Sequence, residues 1–425
     1  MKKNVTRFLL LLIVITTLFS EDKPKIGLVL SGGGIKGFGH LGTLYMIDSL
    51  NIPIDYVVGT SIGAISAALY ATGHSSYEID KIASETNWEE IFSQTRARNE
   101  LFYFQKKDNA NFQLTFSLRG FTPTSPISLS NGQYSYEHLL DLFSNYVNVE
   151  SYDNLVIPFR CNATDIISGD EIIFTKGSLS QSLRISTSIP TVFSPIEYHD
   201  KLLVDGGLIN NLPINIAEDL GAEYIIASNV ISKDKSKDEI IDVFNIIQKI
   251  MNLYGSKNEQ VNLLKADLLI NPESDGISSI DFNINNIIKL KSNGKKAAYA
   301  NLDKFLDLKN SSPNFINLAS ISENMINIDS LILSEDMQGD HLVSSLFPPN
   351  KTLSKEDVTN HLIEIRRSQK YHNIYSQYKK NIDNQSYDMY LHGVKNKPIF
   401  INQIEINGNR DLNEQEILNI FSIKN

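Results

Sequence analysis

The sequence predicts an α/β fold with a mainly parallel central sheet, and two features carry this prediction. Compact apolar runs typical of buried strands occur at residues 25–30 and 54–58. Each run leads into a glycine-containing turn and then into a stretch with helical character. Further strand-like runs alternate with helical stretches, at residues 156–164, 171–175, 202–205 and 224–229. Such alternation is typical of a parallel sheet with helices packed on it.

The helices follow from apolar spacing and from their end signals. Residues 38–52 place apolar side chains at helical intervals after the first turn, and small residues predict a helix at 64–71. Residues 213–220 begin with proline and stop before a glycine, which are helix start and stop signals.

One segment departs from the alternation of strands and helices, because apolar alternation at 101–104 and 112–118 predicts an inserted β-hairpin. Its aromatic face either lines a lipid-binding mouth or is buried in the fold.

Composition and charge restrict the function classes. The 425 residues are 42% hydrophobic and 21% charged, as in globular proteins, and the net charge of −10 argues against a nucleic-acid binder. Residues 1–20 carry basic residues and then an apolar run, which predicts a cleaved signal peptide, with an uncleaved anchor as the alternative. Cys161 is the only cysteine, so an intrachain disulfide is excluded. Export without a disulfide fits a bacterial envelope.

The character of the chain changes after a linker-like stretch at residues 309–314. Beyond it we predict a separate small α+β module in the order β–α–α–β–β. Its predicted strands and helices are, in order, residues 326–333, 355–367, 371–380, 387–392 and 398–406. Residues 404–409 also resemble the start of a further unit.

A serine between two glycines is the first candidate for catalysis. Ser61 follows the second predicted strand and precedes the small-residue helix, with Gly59 and Gly63 on either side. The G-x-S-x-G pattern places a serine at the tip of a sharp strand-to-helix turn, where the helix N-terminus stabilises negative charge. The alternative is an ordinary tight turn of an α/β protein. A serine nucleophile also needs a base.

A glycine-rich turn after the first strand offers backbone N–H groups to an anion. Gly32, Gly33 and Gly34 present consecutive donors, which suits a phosphate or an oxyanion. The rival interpretation is a dinucleotide site, because the G-x-G-x-x-G spacing is met and Asp55 follows at about the expected distance. The serine turn, however, occupies the position at which a cofactor domain carries its ribose-binding carboxylate. This disfavours the dinucleotide interpretation.

The sequence favours a carboxylate over a histidine as the base. The histidines after Ser61 do not lie in a distinctive loop after a late strand, as an α/β-hydrolase triad requires; they include His74, His138 and His199. His40 lies inside the first predicted helix. Asp205 ends a predicted apolar strand, and two glycines after it let the backbone bend so that the carboxylate can reach a serine. The alternative for Asp205 is a common Asp-Gly turn.

Together these features resemble the patatin-like phospholipases, over residues 24–308. The resemblance rests on three motifs in a specific order, which are GGGIKG at 32–37, GTSIG at 59–63 and DGG at 205–207. Supporting stretches occur at residues 163–165, 184–190, 193–195 and 211–213. Lys36 stands where the family usually has arginine, which keeps the charge but loses a bidentate guanidinium contact.

The resemblance implies a patatin-like three-layer fold and a Ser–Asp dyad, with Ser61 as nucleophile and Asp205 as general base. It also implies an oxyanion hole, formed by Gly32, Gly33 and Gly34. The remaining motif residues support these turns, and they are Lys36, Gly37, Gly59, Gly63, Gly206 and Gly207. The expected activity is that of an exported phospholipase A or lysophospholipase, which hydrolyses phospholipid or lysophospholipid at a membrane surface without a metal or cofactor. The alternatives are a thioesterase or acyltransferase on the same dyad, and a non-catalytic lipid-binding module.

The C-terminal region resembles a second family. Residues 325–397 are similar to a POTRA domain, the small periplasmic module found before outer-membrane β-barrels. Residues 398–425 look like the opening of a second such domain or of a connector. This resemblance implies that the full-length protein continues into a barrel and lies in the periplasm, in the outer membrane or at the surface of a bacterium. A family-specific C-terminal extension is the alternative.

Overall fold

The computed structural model describes residues 23–93, 117–119, 122–124, 128, 130–231, 260–309, 313–381 and 386–396. Several predicted segments fall outside these residues: the signal peptide at 1–20, the hairpin residues at 101–104 and 112–116, and the strand and further unit after 397. Within the described ranges, no helix is both long and apolar enough to span a membrane.

Strands and helices alternate along the chain. The strands are β1 (Ile26–Leu30), β2 (Tyr56–Gly59), β3 (Ser117–Arg119), β4 (Thr122–Thr124), β5 (Phe159–Asp165), β6 (Glu171–Phe174), β7 (Ile196–Tyr198), β8 (Lys201–Asp205), β9 (Tyr224–Ser228), β10 (Leu268–Ile270), β11 (Met325–Leu333), β12 (Lys351–Ser354), β13 (Tyr371–Lys380) and β14 (Tyr387–Lys395). The helices are α1 (His40–Leu50), α2 (Ile62–Ala71), α3 (Ser76–Glu85), α4 (Trp88–Ser93), α5 (Gln133–Leu142), α6 (Leu179–Ser186), α7 (Ile214–Asp219), α8 (Ile284–Tyr299), α9 (Leu302–Leu308), α10 (His341–Leu346) and α11 (Lys355–Arg367). Short 3-10 helices include Gly34–Gly39 after β1 and Gly206–Leu208 after β8.

The central sheet is mainly parallel. Its strands lie in the order β10–β9–β1–β2–β5–β8–β7, with β6 beside β5. The pairs from β10 to β5 are parallel, whereas β6 and β8 run antiparallel to β5, and β7 runs antiparallel to β8. The predicted α/β fold with a mainly parallel sheet is confirmed. Because β1 and β2 are parallel neighbours, the turns after them lie at the same edge of the sheet, where open α/β folds bind ligands.

Helices cover both faces of this sheet. Successive residues of β1 point to opposite sides. Leu28 and Leu30 join the core that contains α1 and α2, while Val29 joins a smaller core with α7. All three side chains are fully buried. The strand is therefore a continuous apolar run, as expected for a sheet covered on both faces, and the result is three layers.

A second, smaller sheet follows, in what we call the C-terminal module (residues 313–396). Its strands lie in the order β12–β11–β14–β13, with β11 parallel to β14 and the other pairs antiparallel. The order β11–α10–α11–β13–β14 is β–α–α–β–β, with the short strand β12 inserted between the two helices. The module has a hydrophobic core of its own, to which α11 contributes Val358, Leu362 and Ile365.

The prediction of a helix at residues 371–380 is wrong, because this segment is strand β13. Its most buried side chains recur at intervals of three and four residues, which imitates a helical stripe; they are Tyr371, Ile374 and Tyr378. The cause is a β-bulge. The pairing with β14 shifts register between His372 and Tyr375, and Asn373 between them has a φ of 50°. The bulge breaks the alternation of two by which a strand is recognised in a sequence.

Arg366 of α11 links the C-terminal module to the rest of the chain. Its Nε donates to Glu78 Oε1 of α3 at 2.8 Å. Its Nη2 donates to the carbonyl oxygens of Gly73 and Ile374, at 2.8 and 2.6 Å. The Glu78 side chain is 1% exposed and that of Arg366 is 11% exposed. Removing one member of such a pair leaves the other charge buried without its partner, which is strongly destabilising.

We expect Arg366→Ala to lower the free energy of unfolding by about 3 to 5 kcal/mol, because the Glu78 carboxylate stays buried without its cation. Urea unfolding followed by circular dichroism measures this change. The matched control is Arg367→Ala, since Arg367 is exposed and the change should stay within about 0.5 kcal/mol. Equal effects of the two substitutions would show that the Arg366–Glu78 pair does not stabilise the contact between the module and α3.

Candidate active site

Ser61 lies at the tip of the turn between β2 and α2. Its φ and ψ are 54° and −127°, a backbone conformation that costs free energy for any residue other than glycine. The turn is tight on both sides. A Cβ on Gly59 would lie 2.5 Å from the carbonyl oxygen of Gly63, and a Cβ on Gly63 would collide with the carbonyl oxygen of Ser31. Only glycine fits at these two positions, as the G-x-S-x-G pattern requires.

The Ser61 hydroxyl contacts the carboxylate of Asp205. Ser61 Oγ donates to Asp205 Oδ2 at 2.6 Å, across 144 positions of the chain. Ser61 is 4% exposed and Asp205 is 2% exposed. The sheet order explains the contact, because β5 lies between β2 and β8, and Ala163 of β5 pairs with Asp205 at the end of β8. The ends of the strands that carry the two side chains therefore lie at one edge of the sheet.

Burial sets the proton affinity of Asp205. Loss of water raises the pKa of its carboxyl group to about 6, against the opposing effect of hydrogen bonds from Ser61 Oγ and from the N–H of Gly207. The Gly207 N–H donates to Asp205 Oδ1 at 2.7 Å, so both carboxylate oxygens have a donor. A carboxylate whose pKa lies closer to neutral pH is a better general base than an ordinary aspartate.

The raised pKa predicts a pH-dependent cost to stability. Between about pH 4 and pH 6 the folded chain holds the Asp205 proton more tightly than the unfolded chain does, so the free energy of unfolding falls as pH rises through this window. We expect Asp205→Asn to be more stable than the wild type at pH 7.5 by up to about 3 kcal/mol, and the difference to vanish near pH 4. Urea midpoints at several pH values measure it. The exposed Asp219→Asn is the control, and a difference that does not change with pH would contradict the prediction.

The glycine turn after β1 lies against Ser61. A Cβ on Gly32 would lie 3.1 Å from Ser61 Cβ. The N–H of Gly32 donates to the carbonyl oxygen of Asn211 at 3.2 Å, whereas the N–H groups of Gly33 and Gly34 have no acceptor among the described residues. Gly34 has a φ of 58°, and a Cβ there would collide with the backbone of Ser279. Two N–H donors of the turn that begins beside the serine are thus without an acceptor among the described residues.

The other predicted motif residues shape these turns. Lys36 is buried, at 3% exposure. Gly37 packs closely on the residue after the serine, since a Cβ there would lie 2.7 Å from Ile62 Cγ2. Gly206 and Gly207 let the chain turn directly after Asp205, because a Cβ on Gly206 would collide with Asn162 and one on Gly207 would lie 2.7 Å from Asn211 Oδ1.

A buried histidine supports the glycine turn, and sequence reasoning missed this role. His40 is fully buried. Its Nε2 donates to the carbonyl oxygen of Ser31, and its Nδ1 shares a hydrogen bond with Ser228 Oγ, both at 2.9 Å. Burial lowers the pKa of His40 to about 4, so the ring is neutral at neutral pH. The ring joins the ends of β1 and β9, a contact for which the sequence carries no local signal.

A polar network behind the serine was missed as well. Thr60 Oγ1 donates to Asn162 Oδ1 at 2.8 Å and to the carbonyl oxygen of Asn210 at 3.0 Å. The Nδ2 atoms of Asn162 and Asn210 both donate to Glu171 Oε1, at 2.7 and 2.9 Å. The N–H of Ser61 donates to Ser186 Oγ at 3.0 Å. The one available signal was a polar asparagine within the buried strand β5.

The histidines considered as bases have other partners. His74 shares hydrogen bonds with Thr72 Oγ1 and the carbonyl oxygen of Leu69, and burial lowers its pKa well below the usual value. His138 shares a hydrogen bond with Thr86 Oγ1 at 3.2 Å. His199 lies in the turn between β7 and β8 with a φ of 46°. In the described part of the chain, none of them shares a hydrogen bond with Ser61 Oγ, which donates to Asp205.

The position of Asp55 argues against a dinucleotide site. Asp55 precedes β2, and its Oδ2 accepts the N–H of Ile26 at 2.7 Å, at the start of β1. The glycine turn follows the other end of β1. A ribose-binding carboxylate must lie at the same edge as the glycine turn.

The described residues also contain no cluster of three or more His, Cys, Asp or Glu side chains that could hold a metal ion.

The region that holds these groups matches a known family. Residues 28–218, which include Ser61, Asp205 and the glycine turn, match the family model described as patatin-like phospholipase. This region is a patatin-like phospholipase domain. The matched residues end before the C-terminal module begins, so the similarity of that module to a POTRA domain stays a prediction.

Several curated proteins are similar to the patatin-like domain. The chain is 33% identical over 214 residues to neuropathy target esterase sws of Drosophila melanogaster, covering 49% of this chain and 13% of that protein. It is 29% identical over 213 residues to lysophospholipase NTE1 of Meyerozyma guilliermondii, covering 50% of this chain and 13% of that protein. An uncharacterized NTE family protein of Mycobacterium tuberculosis is 32% identical over 192 residues, covering 45% of this chain and 28% of that protein. The chain thus spans between 13% and 28% of the length of these relatives.

Among solved structures, VipD from Legionella pneumophila aligns over 67% of both chains. The sequence identity is 14% and the TM-score is 0.36. The assignment of the patatin-like domain rests on the family model.

Proposed function

We propose that this chain is a serine acyl hydrolase that cleaves fatty-acyl esters of phospholipids or lysophospholipids. The observation that carries the proposal is the buried hydrogen bond of 2.6 Å from Ser61 Oγ to Asp205 Oδ2, at the tip of a strained turn. The names of two relatives, an esterase and a lysophospholipase, support the same substrate class. Ser61 and Asp205 act as a dyad in this proposal.

The first half of the reaction acylates the serine. Asp205 takes the proton of Ser61 Oγ as this oxygen attacks the carbonyl carbon of the ester. The carbonyl oxygen becomes an oxyanion. When the tetrahedral intermediate collapses, the ester C–O bond breaks and Asp205 gives its proton to the leaving oxygen. A lysolipid or another alcohol departs, and the acyl group stays on Ser61.

The second half releases the fatty acid. Asp205 takes a proton from a water molecule whose oxygen attacks the acyl carbon. Collapse of the second intermediate breaks the bond to Ser61 Oγ, which regains a proton from Asp205. The enzyme returns to its starting state, and each proton taken by the carboxylate is given back.

Backbone N–H groups stabilise the oxyanion in both halves. Gly33 and Gly34 supply donors that have no acceptor among the described residues. The Gly32 N–H donates to the carbonyl oxygen of Asn211 and so holds the turn that carries these two donors. The N-terminus of α2 adds a favourable dipole at the same position. Lys36 supports the loop from a buried position.

Release of free fatty acid from phospholipid and lysophospholipid vesicles tests the proposal directly. The same preparation is assayed with soluble short-chain acyl esters and acyl thioesters. Hydrolysis of the oxygen esters is the expected result. A folded chain that cleaves none of these substrates would refute the hydrolase proposal, and cleavage of thioesters alone would favour a thioesterase.

The proposal extends to the place of action. The chain is exported to a bacterial envelope by the signal peptide at residues 1–20, and the C-terminal module is a POTRA-like domain. The basic and apolar pattern of the first residues supports export. The β–α–α–β–β order of the module, with the short strand β12 inserted between its helices, supports the POTRA-like assignment. N-terminal sequencing of the protein purified from a bacterial host tests export. The expected mature chain begins near residue 21, and a chain that keeps its first twenty residues would contradict it.

A further inference from the structure

Helix α8 presents apolar and basic side chains together to solvent. They lie on one side of the helix at α-helical spacing, and we call them the α8 face: Ile284, Ile288, Lys289, Lys295, Lys296 and Tyr299. Ile284 and Ile288, one turn apart, are 63% and 60% exposed. The opposite side of α8 is buried and contributes Ile287 and Leu290 to the main core. The two exposed isoleucines are therefore not needed to hold the helix on the fold.

The charge of α8 is opposite to that of the chain. The helix contains four lysines, and residues 282–302 contain no aspartate or glutamate, although the net charge of the chain is −10. Lys291 pairs with Asp80 of α3. The three lysines of the α8 face form no ion pair with the described residues. The face therefore carries three positive charges that no carboxylate of the described chain neutralises.

The turn before α8 contacts the glycine turn of the candidate active site. The N–H of Ile35 donates to the carbonyl oxygen of Ser279 at 2.9 Å. A Cβ on Gly34 would collide with the same carbonyl group. Ile280 follows Ser279 and is 37% exposed, and Ile284 is the first residue of the helix. The apolar end of the α8 face thus begins five residues from the contact with the glycine turn.

Backbone contacts hold α8 against the same region. A Cβ on Gly42 of α1 would collide with the backbone of Gly294 in α8, and one on Gly294 would collide with the carbonyl oxygen of Gly39. No side chain fits between the two helices at this point. The position of the α8 face relative to the glycine turn is therefore set by the fold.

We propose that the α8 face docks the chain on an anionic lipid bilayer. Exposed isoleucines and lysines on one helix are typical of helices that lie in a bilayer interface, with the apolar side chains inserted and the lysines at the headgroups. An acidic chain is repelled by an anionic surface unless it gathers basic groups at one place. The inference rests on the proposed hydrolase function, because a substrate held in a membrane requires a docking surface near the site. It adds a preference for anionic over zwitterionic membranes.

Binding of the full chain to vesicles tests the docking surface. The vesicles consist of ether-linked phosphatidylcholine, with or without ether-linked phosphatidylglycerol, and bound protein is measured by sedimentation. Ether lipids carry no ester bond, so binding is measured without hydrolysis. All variants carry the same N-terminus, and ratios between them report the α8 face.

The charged and the apolar side chains have different expected effects. We expect the double substitution Lys289→Gln and Lys296→Gln to lower the affinity for phosphatidylglycerol vesicles by about 25-fold, because each lysine contributes a factor of about five at an anionic surface. Affinity for phosphatidylcholine vesicles should change little. We expect the double substitution Ile284→Gln and Ile288→Gln to lower the affinity for both kinds of vesicle by at least about tenfold.

The neighbouring helix α9 supplies matched controls. Lys304 is exposed and Leu306 is 45% exposed, but this helix also carries the exposed carboxylates of Asp303 and Asp307. Lys304→Gln and Leu306→Gln should leave binding to either kind of vesicle within about twofold of the wild type. Circular dichroism checks that all variants are folded, since changes at exposed positions should cost less than about 0.5 kcal/mol.

Hydrolysis connects the docking surface to the candidate active site. Fatty-acid release from ester-linked phosphatidylglycerol vesicles is compared with hydrolysis of soluble p-nitrophenyl butyrate. We expect the two isoleucine substitutions to lower the ratio of the two rates by at least about tenfold, because a soluble ester reaches Ser61 without docking. The α9 variants should keep the wild-type ratio.

The outcomes separate this inference from the hydrolase function. If the α8 variants bind vesicles as the α9 variants do, the α8 face is an ordinary solvated surface and the inference is wrong. It is also wrong if the wild type is a dimer in sedimentation velocity and the isoleucine substitutions make it a monomer, because the face then joins two copies of the chain. If the wild type binds ether-lipid vesicles through the α8 face but cleaves no ester, the docking surface stands and the hydrolase proposal fails.

Discussion

Ser61→Ala is expected to lower kcat for acyl-ester hydrolysis by at least about 10,000-fold, because the attacking oxygen is removed and no neighbouring group replaces it. The fold should survive. The Ser61 N–H still donates to Ser186 Oγ, and the substitution removes a single side-chain hydrogen bond, the one to Asp205. Fatty-acid release and circular dichroism measure the two effects on the same preparation.

The control for this substitution is Ser49→Ala, since the Ser49 hydroxyl donates only to the carbonyl oxygen of Met46 within α1. It should leave the rate within about twofold of the wild type. Labelling gives an independent readout, because a fluorophosphonate should modify Ser61 in the wild type and nothing in Ser61→Ala. Retention of more than a few per cent of the wild-type rate by Ser61→Ala would place the nucleophile elsewhere.

Asp205→Asn is expected to lower kcat by about 1,000-fold to 10,000-fold, because an amide cannot accept the serine proton. The asparagine oxygen keeps the hydrogen bond from the Gly207 N–H, and the Nδ2 group donates to Ser61 Oγ, so the geometry of the turn is retained. The loss is thus chemical and not structural. The expected gain in stability at pH 7.5 separates it from damage to the fold.

The wild-type pH profile tests the same carboxylate. Because the base must be ionised, kcat/KM should rise with pH through an apparent pKa of about 6 and stay high above it. An ordinary exposed aspartate would place this limb near pH 4. A limb near pH 4, or a profile unchanged in Asp205→Asn, would remove Asp205 from the mechanism.

Substitution of a histidine tests the alternative that a histidine, and not Asp205, is the general base. His199→Ala, at an exposed position of the turn before β8, should keep a near-normal rate. If Asp205→Asn stays active while His199→Ala is inactive, a histidine is the base and the dyad proposal is wrong. The two substitutions therefore distinguish a carboxylate base from a histidine base in one experiment.

Much of the fold was predictable from local patterns. The apolar runs that became β1 and β2 are continuous because both faces of the sheet are covered, and burial of this kind is visible in sequence. The bulge in β13 was not visible, because Asn373 interrupts the alternation that identifies a strand. Sequence periodicity reports a regular backbone and fails where the backbone inserts a residue.

The candidate site was likewise predictable from the sequence only in part. The sequence by itself determined the residue types and the turns: the glycines around Ser61, the glycine turn before it and the Asp-Gly-Gly turn after β8 are local requirements of backbone geometry. Only the tertiary structure decided that Ser61 Oγ and Asp205 Oδ2 lie 2.6 Å apart, and that Gly32 donates to Asn211 while Gly33 and Gly34 stay open. Those contacts depend on β5 lying between β2 and β8. Strand order is set by the packing of the whole sheet, and no local stretch of the chain encodes it.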